Sequence, residues 1–485
     1  MLSKSLLILK GSFEWQKSPA APTLGISLPQ AGGMTSDDIL SVILMTIMVS
    51  GGDMKASAVY WWQKAVQWAR QLSLHQLDSP HAVTSPDASG YTGTAIQSAY
   101  QKEQQRRTFW LLYCLDRHLA LSYNREPLLV DGEHFVFQPL PEDQWQSLAT
   151  RSIENVSLEE RQQGPSLVIS GKGFFEYFLP LMALLGDVIT TRRLKSHPRI
   201  TANNRAEFVT SVAQRLDLCD KSIENLGHPT KNTAWTPPAP IHQQSPSEAG
   251  HTVASATSPS EGGAVPRSSR LNPRCHLVIY YARFILCVLR ILLHGEWDAI
   301  TLLGSSSPSA SSPLQNSVSD WITSPSFNEC AGSAIKAAEV VSQILQDDPE
   351  LSLMPYLFGI YLFHGSLILL LFADRMSSVH GGPNESVERA CEVIIRAHEA
   401  CIVTLNTEFQ RVFRKVMRIT LLLVQAQARN LQSESTHGRG QDFLGTDHAA
   451  SVHSPTAGQI AEIFTIRSEL LGLLRWNCGG EGLAI

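Results

Sequence analysis

Residues 105–141 read QRRTFWLLYCLDRHLALSYNREPLLVDGEHFVFQPLP, and the apolar spacing in this stretch decides the fold class. Phe109, Tyr113 and Ala120 recur at helical spacing, together with two leucines, so they share one face of a helix. The pattern predicts an α-helix over residues 97–123, with its apolar face turned towards a core.

An acidic residue, Asp116, falls on that apolar face. A buried carboxylate without a partner is costly, so we expect Asp116 to form an ion pair. Three nearby arginines are candidates for the partner, and the sequence does not choose among Arg106, Arg107 and Arg117. Such a pair would pin the helix in place, and contact with a ligand is the other role open to Asp116.

Outward from this helix, further helical patterns alternate with gaps rich in Pro, Ser and Gly, and no series of strands is evident. Apolar periodicity predicts helices at residues 36–48, 55–74, 97–123, 174–194, 205–226, 277–293, 331–345, 351–373, 385–431 and 458–475. We therefore predict an all-α fold, a large multi-helix domain with disordered Ser/Pro-rich linkers.

Composition divides the chain into six segments. They are an irregular N-terminus (1–35), a first helical part (36–227), a disordered linker (228–273), a core helix (274–303), a second disordered linker (304–328) and a C-terminal helical part (329–485). The linkers are rich in Pro, Ser and Gly, so they bury too little apolar surface to offset the entropic cost of ordering.

Residues 351–373 contain no charged side chain, and a run of about 20 apolar residues is long enough to span a membrane. The segment nevertheless includes Pro355, Gly359 and His364, and the patterns elsewhere in the chain are amphipathic. We interpret the segment as a central helix buried on all sides within the helical body, and we expect no membrane partner.

The charge balance argues against a chain that holds DNA by itself. The sequence has 39 Lys and Arg against 44 Asp and Glu, a formal net charge of -5, and only short basic stretches such as residues 411–418. Phosphate contacts need a basic footprint. We expect protein or small-molecule partners, with DNA reached only indirectly.

The sequence also lacks the spacing of known catalytic and metal sites. No two of its eight cysteines are separated by two residues, as a zinc knuckle or zinc cluster requires. Phosphate-loop, nucleophile-elbow, dinucleotide-binding and His-Glu-x-x-His motifs do not occur either. We predict that this chain is not an enzyme and carries no metal or cofactor.

Aromatic residues offer one candidate for a ligand site. Apolar platforms with a few polar groups are typical of small-molecule pockets, although core packing uses such rings more often. The residues from which a pocket could be built are Trp61, Trp110, Tyr113 and His364, the last within the uncharged segment.

Two stretches of the N-terminal half resemble the fungal-specific transcription factor domain. Residues 60–74 read YWWQKAVQWARQLSL and run into Ser-Leu-His, where that family usually has a Gly-Leu-His type of turn. Residues 105–141 carry the Arg-Arg-x-x-Trp, Tyr-x-x-Asp-Arg and Arg-x-Pro patterns of the family and its closing Leu-Pro.

The C-terminal half contains SLMPYLFGIYLFHGSLILLLFADRM, RAHEACIVTLNTEFQRVFRKVMR and the closing LLRWNCGGEGLAI. These segments are similar to the xylanolytic transcriptional activators of filamentous fungi, a family of zinc-cluster regulators. Members of that family read DNA through an N-terminal cluster of six cysteines that holds two zinc ions. Residues 1–35 contain no cysteine, so we expect zinc only in the family module that is missing here.

The resemblance implies a nuclear protein, with nucleo-cytoplasmic exchange as a further option. It implies the regulatory and effector half of an activator of genes for xylan and hemicellulose degradation and pentose catabolism. Such a chain would respond to a metabolite signal, with a pentose-type inducer as candidate, and would contact the transcription machinery or related activators. The alternative is a truncated interaction module that pairs with full-length zinc-cluster activators and inhibits them.

Overall fold

A computed structural model describes residues 34–50, 55–80, 92–148, 161–227, 273–295, 324–352, 358–379 and 385–405, together with residues 321, 354, 414, 415, 418, 419 and 465. Almost all of the predicted N-terminal segment, most of both predicted linkers and nearly all of the predicted helix at residues 458–475 lie outside the described residues.

Within these ranges the regular secondary structure is helical, which confirms the all-α prediction. The described helices are α1 (Ser36–Ser50), α2 (Lys55–Gln71), α3 (Thr92–Ser122), α4 (Glu142–Leu148), α5 (Phe174–Ser196), α6 (Ala202–Gly227), α7 (Pro273–His294), α8 (Pro325–Asp347), α9 (Phe358–Val379) and α10 (Glu385–Leu405). A short 3-10 helix, Leu74–Gln76, follows α2, and an isolated antiparallel bridge joins Phe137 to Gln163.

The predicted start of the uncharged helix at residue 351 is wrong, because α9 begins at Phe358. Leu351 has a left-handed φ of 51°, which a continuous helix does not allow. The carboxylate of Asp348 accepts hydrogen bonds from the backbone N–H and the hydroxyl of Ser352, both at 2.9 Å. These contacts form a turn that separates α8 from α9.

The start of α8 lies within the stretch predicted as the second linker. The hydroxyl of Ser324 accepts a hydrogen bond from the backbone N–H of Phe327 at 3.4 Å, and Pro325 occupies the first turn. Ser is a preferred N-cap, and the fixed φ of Pro suits a first helical position. This cap begins the helix six residues before the periodic apolar pattern does. The short helix α4 has no predicted counterpart.

The helices enclose one hydrophobic core that extends from Ile39 on α1 to Cys401 on α10. The α7 and α8 helices form the most extensive pair, and α5 packs against α3, α6 and α7. The α9 helix packs against α7, α8 and α10, while α1 and α2 form a hairpin that contacts α3. Trp62, Trp110 and Tyr361 are among the largest side chains that this core buries completely.

Two helical segments among the described residues, Phe174–Lys195 and His276–His294, have the length and apolar composition of a membrane span. In the fold, 72% and 67% of their most apolar windows are buried against other helices. Burial of this kind is typical of core helices that are apolar on several sides.

Gly365 gives a test of the packing between α9 and α7. A methyl group added there would lie 3.4 Å from Val288 Cγ2 and 3.6 Å from Phe284 Cζ, which is ordinary contact. Because glycine within a helix costs about 1 kcal/mol relative to alanine, Gly365→Ala should raise the free energy of unfolding by about 0.5–1 kcal/mol in urea denaturation. Gly365→Leu should instead lower it through overpacking. An alanine variant that is also less stable would contradict this packing between α7 and α9.

Candidate functional site

The carboxylate of Asp116 is completely buried at the junction of α2, α3 and the loop after α3. Its Oδ1 accepts hydrogen bonds from Trp62 Nε1 at 2.9 Å and from the backbone N–H of Leu128 at 2.8 Å. Its Oδ2 accepts from Arg117 Nη1 at 2.7 Å and from the backbone N–H of Leu129 at 3.1 Å. One side chain of α3 thereby fixes both α2 and the loop.

Arg117 extends this arrangement to a second carboxylate. Its Nη1 also donates to the carbonyl of Leu129 at 2.6 Å, and its Nη2 donates to Asp131 Oδ1 at 2.8 Å. The Tyr113 hydroxyl donates to the same Asp131 oxygen at 2.8 Å, and the guanidinium lies 3.7 Å from the centre of the Tyr113 ring. Cation–π contact and charge-assisted hydrogen bonds thus surround a buried arginine.

Burial raises the pKa of Asp116, and Arg117 and the N–H donors oppose that rise. Each recorded contact of the carboxylate comes from a donor, which is the pattern expected for the ionised form. Burial alone would lower the pKa of Arg117, but Tyr113, Asp131 and Asp116 hold it above its usual value. The pair therefore remains charged within the core.

Arg106 and Arg107, the other two candidates for pairing with Asp116, bind different acids. Arg106 Nη2 lies 2.5 Å from Asp78 Oδ1, and Arg107 Nη2 lies 2.8 Å from Glu142 Oε2. These contacts exclude Arg106 and Arg107, two of the three predicted candidates, as partners of Asp116. The physical reason is their position: both lie at least nine residues before Asp116 on α3, about two and a half helical turns or more away.

Glu103 links these arginines into a second buried network. It lies 3.4 Å from Arg106 Nη1 and 3.0 Å from Arg161 Nη2, and it accepts the backbone N–H of Leu140 at 2.7 Å. Asp78 in turn accepts the backbone N–H of Phe137 at 2.8 Å. The two networks together hold both ends of the chain from Leu128 to Leu140 against α3.

The tryptophan hydrogen bonds provide a matched pair of variants. Trp62 Nε1 donates to a carboxylate, whereas Trp110 Nε1 donates to the neutral carbonyl of Phe137 at 2.8 Å, and both rings are fully buried. A hydrogen bond to a charged group contributes about 1.5–3 kcal/mol and a neutral one about 0.5–1.5 kcal/mol. Trp62→Phe should therefore destabilise more than Trp110→Phe in urea denaturation. An equal loss would contradict the assignment of an ionised Asp116.

The four residues considered for a ligand pocket lie in different surroundings. Trp110 and Tyr113 are fully buried with ring centres 5.2 Å apart, and each uses its polar atom within the fold. Trp61 is half-buried against Tyr60, and His364 is buried on α9. Trp110 and Tyr113 pack as core rings, and a ligand role for the four stays a prediction.

A groove on the outer face of α2 lies beside the Asp116 network. Its volume is about 520 Å³, and it is lined by Gln63, Val66, Gln67, Arg70, Gln71 and Leu128. No set of three or more His, Cys, Asp and Glu side chains with the arrangement of a metal site occurs among the described residues.

Three of the histidines that the structure describes are buried in the helical body. Burial lowers the pKa of His118, His364 and His398 to about 3 each, so all three are neutral at physiological pH. The Nε2 atom of His398 lies 3.0 Å from the Ser366 hydroxyl, and the His118 ring packs 5.9 Å from that of Tyr361. These side chains have the environment of core residues.

Residues 39–221 match the family described as the fungal specific transcription factor domain. The matched region runs from α1 into α6 and includes both buried networks and the groove, so this part of the chain is similar to the fungal-specific transcription factor domain. The Arg-Arg-x-x-Trp and Tyr-x-x-Asp-Arg patterns of residues 105–141 thus coincide with the residues that hold the loop after α3.

Curated relatives are similar over nearly the whole chain, beyond the domain itself. The chain is 35% identical to the "Xylanolytic transcriptional activator xlnR" of Aspergillus clavatus, over 95% of this chain and 46% of the relative. Identity to the proteins of the same name from Aspergillus niger and Emericella nidulans is 34% and 33%, over 95% of this chain and 47% and 49% of those proteins. The chain therefore spans about half the length of these relatives. No solved structure matches it.

Proposed function

We propose that this chain is the regulatory and effector part of a transcription activator of genes for xylan degradation and pentose catabolism. The observation that carries the proposal is the 33–35% identity to xylanolytic transcriptional activators over 95% of the chain. The similarity extends past the fungal-specific domain to the region of α7–α10, which shares one core with it. On this proposal the helical body works as a unit in the nucleus.

The proposed activity is exerted through protein contacts rather than through direct reading of DNA. The formal net charge of -5 gives no basic footprint for phosphate contacts. Several of the arginines that the structure describes, including Arg106, Arg117 and Arg161, are engaged with buried carboxylates. The transcription machinery or related activators are the partners we propose, with a pentose-type metabolite as the signal.

The chemistry of the described thiols supports a role other than catalysis. Burial raises the pKa of Cys287 to about 11 and those of Cys219 and Cys391 to about 12. The reactive form of cysteine is the thiolate, so these side chains are poor nucleophiles at neutral pH. Together with the neutral buried histidines, they favour a binding and regulatory body.

Two measurements on the whole chain test the proposal. In a gel-shift assay at physiological salt, the purified chain should show no preference for a hemicellulase promoter over random DNA. Fused to an unrelated DNA-binding domain, it should change the output of a reporter gene, with a response to supplied pentose. Nanomolar, sequence-selective DNA binding would contradict the first expectation. An inert fusion that still co-purifies with a full-length activator would favour the interaction-module alternative instead.

A further inference from the structure

The groove on α2 has two walls that the same buried carboxylate holds in place. Asp116 accepts from Trp62 on α2 and from the backbone N–H of Leu128 on the opposite wall. Arg70 closes the link between the walls, since its Nη2 donates to the Leu128 carbonyl at 2.9 Å. Val66, which also lines the groove, is buried in the core. The shape of the groove is therefore fixed by the fold.

The polar lining of the groove consists of one guanidinium and three amides. None of the six lining residues carries a carboxylate. The recorded hydrogen bond of Arg70 uses Nη2, which leaves Nε–H and Nη1–H for another acceptor. A planar guanidinium fork suits a carboxylate or a phosphate, which can accept two parallel hydrogen bonds.

The glutamines complement the arginine along the same helix. Gln63, Gln67 and Gln71 recur every four residues, so they lie in a row on one face of α2. Amides both donate and accept, which suits the hydroxyl groups of a sugar. Lys64 Nζ donates to the side-chain oxygen Oε1 of Gln67 at 3.2 Å, so the side-chain NH2 group of Gln67 is presented as a donor.

The volume of about 520 Å³ lies within the range of about 300–1,000 Å³ that small-molecule sites occupy. A solvated helix face would explain why the glutamines are exposed. It would not explain why both walls are anchored to one buried ion pair, or why an arginine bridges them. Preorganisation of this kind is typical of binding sites, because it lowers the entropic cost of association.

We propose that this groove binds a small sugar with an anionic group, a sugar acid or a sugar phosphate. Arg70 would bind the anionic group, and Gln63, Gln67 and Gln71 would bind the hydroxyls. The proposal rests on the proposed function, since it supplies the site at which a metabolite signal would be received. It departs from the four aromatic and histidine positions considered from the sequence.

Isothermal titration of the whole chain tests the site with four probes: D-xylonate, D-xylose 5-phosphate, D-xylose and inorganic phosphate. The expected result is binding of D-xylonate or D-xylose 5-phosphate, with free D-xylose and inorganic phosphate at least about tenfold weaker. Which of the two anionic probes binds distinguishes the carboxylate from the phosphate. Binding of neither probe would overturn the proposal, and equal binding of inorganic phosphate would show an adventitious ion only.

Variants assign the binding to the groove. Arg70→Gln should weaken binding of the anionic probe about tenfold or more, because a charge-assisted hydrogen bond is lost. Gln71→Leu, which leaves the Arg70–Leu128 contact intact, should weaken it by a smaller factor. The control is Arg389→Gln, an exposed arginine on α10 that should leave affinity unchanged. If Arg70→Gln and Gln71→Leu both bind like the parent, the groove is not the site.

The reporter fusion separates this proposal from the proposed function. A fusion that responds to supplied pentose but is unaffected by Arg70→Gln would retain the regulatory function and refute the site. An inert fusion of a chain that binds the anionic probe through Arg70 would retain the site and refute the function.

Discussion

Asp116→Ala should lower the free energy of unfolding by about 3–5 kcal/mol, the cost of removing one partner of a buried ion pair. The carboxylate is completely buried and accepts from Trp62, Leu128, Leu129 and Arg117 at 2.7–3.1 Å. Its loss leaves buried N–H groups without an acceptor and removes one of the two acids beside Arg117. The measurement is urea denaturation of the whole chain followed by circular dichroism.

The control is another aspartate in an ion pair at the surface. Asp217 lies 2.7 Å from Arg290, but its side chain is 55% exposed. Surface pairs of this kind contribute about 0–1 kcal/mol, so Asp217→Ala should change stability little. Equal losses in the two variants would show that Asp116 is not the buried anchor of α2 and the loop after α3.

Mild acid should destabilise the fold strongly, because three buried histidines must remain neutral in it. His118, His364 and His398 have pKa values of about 3 in the folded state, against about 6.5 in an unfolded chain. Between these values the unfolded chain binds protons that the folded chain does not, so stability is full above pH 6.5 and falls as the pH drops. At pH 5 the loss is about 2 kcal/mol for each histidine, or roughly 6 kcal/mol together.

His118→Leu isolates the contribution of one ring. In urea denaturation, the free energy of unfolding should fall between pH 7 and pH 5 in both proteins. The fall should be about 2 kcal/mol smaller in this variant than in the parent. His197→Gln, at an exposed position after α5, should leave the difference unchanged. A His118→Leu protein with the pH response of the parent would mean that His118 is not a buried neutral histidine.

Sequence periodicity predicted most of the described helices because it reflects a local property, the return of an apolar face every three to four residues. The helix boundaries depended on capping and turn contacts, which apolar periodicity does not reveal. The start of α8 follows from the Ser324 cap, and the delayed start of α9 follows from the turn at Asp348 and Leu351. Absence of charge alone does not make a helix, as the left-handed backbone of Leu351 shows.

The buried state of Asp116 was predictable because its position on the apolar face of α3 is a matter of spacing. The choice of partners was not, because it depends on tertiary structure. Trp62 lies 54 residues away along the chain, and the backbone N–H groups of Leu128 and Leu129 carry no sequence signal. Adjacent residues on a helix do not normally face each other, so helical spacing did not single out Arg117 among the three arginines.

The second network shows the same limit. Glu103 and Asp78 organise Arg106, Arg107 and Arg161, yet neither acid belongs to the arginine and tryptophan patterns that mark the family. A buried arginine requires an acid, and that requirement is the signal that points to such partners. Asp78 and Glu103 also accept the backbone N–H groups of Phe137 and Leu140, contacts that the sequence does not reveal.

The most direct test of the account is the reporter output of the chain fused to an unrelated DNA-binding domain, measured with pentose supplied and at equal protein levels. The wild-type fusion and its Asp217→Ala variant should both change the output, because each retains the folded helical body. The Asp116→Ala variant should lose most of the effect, because α2 and the loop after α3 are no longer anchored. A wild-type fusion that leaves the reporter at the level of the DNA-binding domain alone would contradict the central claim that this body regulates transcription.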